Sequence, residues 1–71
     1  MEEKTKWLGS KKCDFCHKEI TDTLIDGKTI MGPWATMCKQ CHAFYGYKRF
    51  GIGIGQKYQK DSSGQFVKVE G

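Results

Sequence analysis

Hydrophobic and polar positions alternate over several short stretches of the chain, and no apolar stripe runs at helical spacing for long. Residues 20–25 are rich in β-branched side chains: Ile20, Thr21, Thr23 and Ile25. Asp26-Gly27 follows as a two-residue turn signal, and Lys28-Thr29-Ile30-Met31 reads as the returning strand. Gly32-Pro33 interrupts that strand and predicts a bend or an edge position, after which Trp34 to Met37 continue. The pattern therefore predicts a β-hairpin over 20–37. A short helix is expected over 42–50, beginning at or just before Cys38-Lys39-Gln40-Cys41 and stopping near Gly46 or Gly51. In Gly51-Ile52-Gly53-Ile54-Gly55, an extended backbone would put Phe50, Ile52 and Ile54 on one face and the glycines on the other. A second hairpin is expected beyond it, with arms over 56–60 and 65–69 and a turn at Asp61-Ser62-Ser63-Gly64.

Residues 1–12 are charged and without period, and read as a loose arm. Trp7 and Leu8 are candidates to fold back on the core. Residues 13–71 form the expected domain. Seventy-one residues with 38% hydrophobic side chains and nine glycines bury too little apolar surface to hold a fold alone. A metal or disulfide staple is needed. The polar start Met1-Glu2-Glu3-Lys4 is followed by no apolar run, so neither a secretory signal nor a membrane span is expected. A reducing, cytoplasmic setting follows, in which paired cysteines serve metals more often than disulfides.

The cysteines answer to that need. Cys13-Asp14-Phe15-Cys16 and Cys38-Lys39-Gln40-Cys41 both carry the C-x-x-C spacing. Two intervening residues let one loop aim both sulfurs at a point, and two such loops supply a tetrahedron of thiolates suited to Zn2+. A helix starting at the second pair would set its positive end beside the sulfurs. The predicted fold is thus a small metal-stabilised α+β domain, treble-clef or zinc-ribbon-like, with two β-hairpins and one short helix. One structural zinc would be held by Cys13, Cys16, Cys38 and Cys41.

Other readings of the cysteines fit less well. Each pair is followed by a histidine, the C-x-x-C-H attachment signature of c-type haem. Two haems would need export, distal ligands and far more apolar cover than the chain has. Iron in a rubredoxin-like site uses the same four sulfurs, and the sequence does not separate it from zinc. A thioredoxin-like dithiol needs a βαβ setting that is missing. Adjacent residues seldom bind one ion in a tetrahedron, so four cysteines are expected rather than three and a histidine. His17 and His42 are expected instead in the left-handed position that often follows a knuckle.

Charge brings in candidate partners. The formal net charge is +4; four thiolates and a divalent ion would bring it to about +2. Its distribution is more telling. Between Asp26 and Asp61 there is no acidic residue, while Lys28, Lys39, Lys48, Arg49, Lys57 and Lys60 fall in that interval. Cations mixed with aromatic side chains are the means by which proteins hold phosphates and stack on bases. Lys48, Arg49, Lys57 and Lys60 are the candidate nucleic-acid contacts, for DNA or RNA. Trp34, Phe44, Tyr58 and Phe66 are expected inside, with Trp34 packed over the metal loop. The G-x-G-x-G run lacks the spacing and flanking elements of a nucleotide-binding loop, and close backbone packing is its expected role. No carboxylate pair suggests acid–base work, and four cysteines leave a zinc no open position, so an enzyme is not expected.

The motifs Asp26-Gly27-Lys28-Thr29, Gly32-Pro33-Trp34-Ala35-Thr36-Met37-Cys38-Lys39-Gln40-Cys41-His42 and Gly51-Ile52-Gly53-Ile54-Gly55-Gln56-Lys57-Tyr58 resemble a family of small, mostly uncharacterised proteins of bacteriophage and mobile-element genomes. That family shows a D-G-x-T, G-P-W-A-x-M-C-x-x-C-H and G-x-G-x-G-Q-x-Y pattern. The resemblance spans about residues 13–69 and implies a cytosolic zinc-binding protein with the four cysteines as ligands. It implies no activity. A binding module for nucleic acid is the leading expectation. A protein-interaction adaptor, pairing an open strand edge with a partner, is the alternative.

Overall fold

In the computed structural model, which describes residues 5–71, four antiparallel strands and one short helix surround a small core. The strands are β1 (Thr23–Lys28), β2 (Trp34–Cys38), β3 (Gly55–Lys60) and β4 (Phe66–Glu70), and the helix α1 spans Lys39–Tyr45 between β2 and β3. The two expected hairpins are not separate units: they join into one sheet of order β2-β1-β3-β4. β1 and β3 pair from Thr23↔Gln59 to Gly27↔Gly55. A lone hairpin is marginal in water, and edge-to-edge pairing satisfies a row of backbone groups that each hairpin would leave open.

β1 sits inside the sheet, and both of its faces are covered. Leu24 and Ile25 are adjacent, point to opposite faces, and are both fully buried. Leu24 pairs with Tyr58, whose ring packs 5.4 Å from Trp7. Ile25 pairs with Met37, also fully buried, and α1 packs against β1 and β2. Phe66 completes the core from β4.

The first turn lies elsewhere than the sequence pattern predicts. Asp26-Gly27 is not a turn; β1 runs on through Lys28. The chain reverses over residues 29–33, where Gly32 has φ +108° and its N–H donates to the Thr29 carbonyl at 3.0 Å. Buried Thr29 closes this turn by donating both its N–H (3.1 Å) and its hydroxyl (2.7 Å) to the Pro33 carbonyl. Gly27 serves packing instead: a Cβ there would lie 3.1 Å from the Ile54 carbonyl oxygen and 3.3 Å from Gly55 Cα. The second reversal follows the predicted pattern. Asp61 Oδ1 accepts the backbone N–H groups of Ser63 (2.9 Å) and Gln65 (3.0 Å), an aspartate-built turn between β3 and β4.

The run Gly51–Gly55 is not a strand. Gly51 and Gly55 exchange hydrogen bonds at 2.9 and 3.0 Å and close a tight loop, which leaves Ile52 almost fully exposed. Of the arm expected over 1–12, residues 1–4 lie outside the described residues. From Thr5 on, the segment runs beside β4: Trp7 N–H donates to the Phe66 carbonyl (2.8 Å) and Lys68 N–H to the Thr5 carbonyl (2.7 Å). The expected interior rings divide. Tyr58 and Phe66 are buried, whereas Trp34 is half-exposed and Phe44 projects into solvent.

Candidate metal centre

The first cysteine pair sits on a knuckle made by a narrow ribbon over residues 11–20. Lys12 bridges Glu19, and Ile20 N–H donates to the Lys11 carbonyl at 2.7 Å. Within the knuckle, His17 N–H donates to the Cys13 carbonyl (3.0 Å) and Phe15 N–H to Cys13 Sγ (3.4 Å). His17 takes the expected left-handed backbone, φ +64°. His42 does not; it lies in α1, its ring stacked 5.2 Å from Phe50. Burial lowers its pKa below the usual histidine value.

The second pair spans a strand-to-helix junction. Cys38 ends β2 and is the N-cap of α1, its Sγ accepting the Cys41 N–H at 3.5 Å, while Cys41 lies on the first turn of the helix. Gly46 ends the helix, donating its N–H to the His42 carbonyl at 2.9 Å. A side chain there would collide with the His42 ring.

Two residues inside the first pair dock one knuckle onto the other. The Asp14 N–H donates to the Thr36 carbonyl and the Asp14 carboxylate accepts the Thr36 N–H, each at 2.8 Å. Thr36 lies two residues before Cys38. Phe15 stacks on Tyr45 of α1 at 4.4 Å and 18° between planes. These docking roles were not read from the sequence. The only local signal is a carboxylate and a ring at the two free positions of the first C-x-x-C.

The outcome is a cluster of Cys13, Cys16, Cys38 and Cys41 whose sulfurs all lie within 4.8 Å of one another. Cys16 Sγ is 3.8 Å from Cys38 Sγ. A tetrahedral ion with bonds of about 2.3 Å would hold its sulfurs about 3.8 Å apart. The thiols are free, not bridged as disulfides. Cys13 and Cys41 are buried, Cys38 is half-buried, and Cys16 lies outermost.

The sulfurs of the cluster act on one another's ionisation. Burial works to raise the Cys13 pKa, but N–H groups of Cys16, Cys38 and Phe15 outweigh it and bring the thiol down to about 6. Burial and hydrogen bonds with the other three sulfurs push Cys41 well above the ordinary thiol range. Four thiols so close cannot all ionise by themselves, because each new thiolate raises the cost of the next. A divalent ion removes that opposition. A hollow of about 390 Å³ borders Cys16, Cys38 and Cys41, and Lys18 and Lys39 stand on its wall. Glu19 and Asp22 share that wall, so it carries as many acids as cations.

The candidate nucleic-acid residues are spread along the molecule. Lys48 and Arg49 are exposed in the loop after α1. Lys57 lies in β3, with its Nζ 3.7 Å from Glu70. Lys60 is exposed at the far end of β3, roughly 16 Å along the strand from Gly55. Arg49 instead shares a hollow of about 250 Å³ with Lys28, Tyr47, Gly53 and Ile54.

Fold and site together define a small α+β domain with four cysteines positioned to hold a metal ion. No protein-family model, curated protein or solved structure matches the chain. Among the described residues, no helix is long and apolar enough to cross a membrane.

Proposed function

We propose that this chain is a zinc-stabilised binding module of the cytoplasm, in which Zn2+ is structural and the basic surface contacts nucleic acid. The observation behind the metal assignment is the set of four cysteine sulfurs within 4.8 Å. Four thiolates favour zinc over the hard cations, and a full set of protein ligands leaves no position for a reacting water. Cys13, Cys16, Cys38 and Cys41 would hold the ion, which would supply cross-linking and charge neutralisation and no reaction. The order of knuckle, strand pair and helix carrying the last ligand agrees with a treble clef. A reducing compartment is needed to keep the thiols available.

Support for nucleic acid comes from charge placement. Lys48, Arg49 and Lys60 are exposed, and no acidic side chain lies between Asp26 and Asp61. The strand-pairing adaptor has less support, since both edges of the sheet are partly occupied. Asp14 covers β2 at Thr36, and the segment from Thr5 covers β4 at Phe66 and Lys68. One observation does favour a protein partner of another kind. Ile30, Met31 and Phe44 are all exposed, and Ile30 N–H donates to the Tyr45 carbonyl at 2.7 Å, which sets the hairpin tip beside the helix end. Such an apolar patch is an ordinary contact surface.

Metal analysis of the purified protein is expected to find one zinc per chain and no visible colour; iron would give colour and overturn the assignment. Binding to DNA and RNA is expected at low salt and should weaken steeply as salt rises. Absence of binding at low salt would leave the apolar patch as the functional surface.

A further inference from the structure

The glycine-rich loop ends on β1: Lys28 N–H donates to the Ile54 carbonyl at 2.8 Å. That bond brings the end of β1, the Gly51–Gly55 loop and the segment after α1 to one place. Lys28, Tyr47 and Arg49 there surround the hollow of about 250 Å³, with Gly53 and Ile54 completing it. Its wall carries two cations and no acid. Gly53 has φ +81°, a backbone state that favours glycine, and no other atom stands within 4 Å of where its Cβ would be.

Rings flank the cations. Tyr47 is 40% exposed. Trp34 is directly opposite Lys28 in the β1–β2 register and 45% exposed. Its indole N–H donates to Asp26 Oδ1 at 2.6 Å, which fixes one edge of the ring and engages that carboxylate. Directly paired residues stand about 5 Å apart, so ring and ammonium lie within one nucleotide's reach.

We propose that the hollow between Lys28, Tyr47 and Arg49 receives a phosphate-bearing nucleotide of a single-stranded nucleic acid, whose bases stack on Tyr47 and Trp34. The inference rests on the nucleic-acid reading above and sharpens it. Cations separated by a pocket bind a phosphate from two sides, and half-exposed rings stack on bases only when those bases are not already stacked in a duplex. Trp34, half-exposed and tied to Asp26, acquires a role, and so does Lys28.

The test uses the zinc-loaded full chain and fluorescence anisotropy at about 50 mM salt. The probes are a labelled oligothymidine of roughly twelve nucleotides and a duplex of the same length. The single strand is expected to bind more tightly. Tyr47→Ala and Trp34→Ala should each weaken it by about five- to a hundredfold, while Tyr47→Phe retains binding. Lys28→Ala and Arg49→Ala should each lower the salt slope by about 0.7. Lys11→Ala, whose ammonium lies 6.0 Å from the Phe66 ring at β4, should change neither. Circular dichroism checks that each variant is folded. Equal affinity for the duplex overturns the inference, as does wild-type affinity in folded Lys28→Ala and Tyr47→Ala. Displacement of the strand by comparable concentrations of thymidine monophosphate also overturns it, since the hollow would then be a mononucleotide site. If Lys48→Ala and Lys60→Ala weaken binding while the hollow variants do not, the broader reading stands without this one. If neither probe binds, both fall.

Discussion

Gly27 and Gly55 face each other across β1 and β3 at a distance that admits no side chain. A Cβ on Gly55 would lie 3.0 Å from Gly27 Cα and 3.2 Å from the Asp26 carbonyl oxygen. Those neighbours are backbone atoms in a paired strand and cannot turn aside. Gly55→Ala is therefore expected to cost about 1–3 kcal/mol, the usual range for overpacking. Reduced freedom of the unfolded chain would offset only about 0.4–1 kcal/mol. Denaturant unfolding of the zinc-loaded protein measures the difference, and an unchanged midpoint would show that the strands separate freely.

Metal removal should unfold the domain. Structural zinc contributes an apparent 10–16 kcal/mol or so at neutral pH, about as much as or more than the whole stability of an ordinary domain. A strong chelator is expected to abolish the circular dichroism of the sheet, and returning Zn2+ to restore it. Cys38→Ala should behave like the chelated protein, since that residue both belongs to the cluster and caps α1. A folded, metal-free Cys38→Ala variant would contradict the structural role.

Lys57→Ala should leave the fold intact. Its ammonium is 3.7 Å from Glu70, whose side chain is half in water. Such pairs contribute about 0–1 kcal/mol. A loss well above that range, read from the unfolding midpoint, would mean that the aliphatic stem of Lys57 is a packing element of β3.

Alkaline pH should weaken the fold through Tyr58. Burial, with the charge of Asp26 adding to it, raises the phenol above its ordinary value. The unfolded chain ionises first, near pH 10. The stability linked to Tyr58 is complete below that value and is lost as pH rises through the higher folded one. Unfolding midpoints measured on either side of pH 10 should fall faster for the wild type than for Tyr58→Phe. Parallel curves would rule out the linkage.

Short-range signals account for much of the architecture. The second strand pair, the Asp61 turn, the start of α1 at the second cysteine pair and the clustering of the cysteines follow from local chemistry: β-propensity, an aspartate that binds its own turn, and two-residue cysteine spacing. The misplaced turn shows the limit. Asp26-Gly27 carries a turn signal, yet the same glycine is equally demanded where two backbones meet, and only the neighbouring strand tells these uses apart. The glycine run posed the same ambiguity: alternation suits a strand, but the Gly51–Gly55 hydrogen bonds close it into a loop.

By itself, the sequence picked out the four cysteines that come together, because their spacing aims each pair at one point. Only the tertiary structure decided that two hairpins share one sheet, that Asp14 and Phe15 dock the knuckles together, and that Trp34 faces out beside Lys28. Each of these is a contact between residues far apart in the chain. Its energy comes from a partner that no local pattern names.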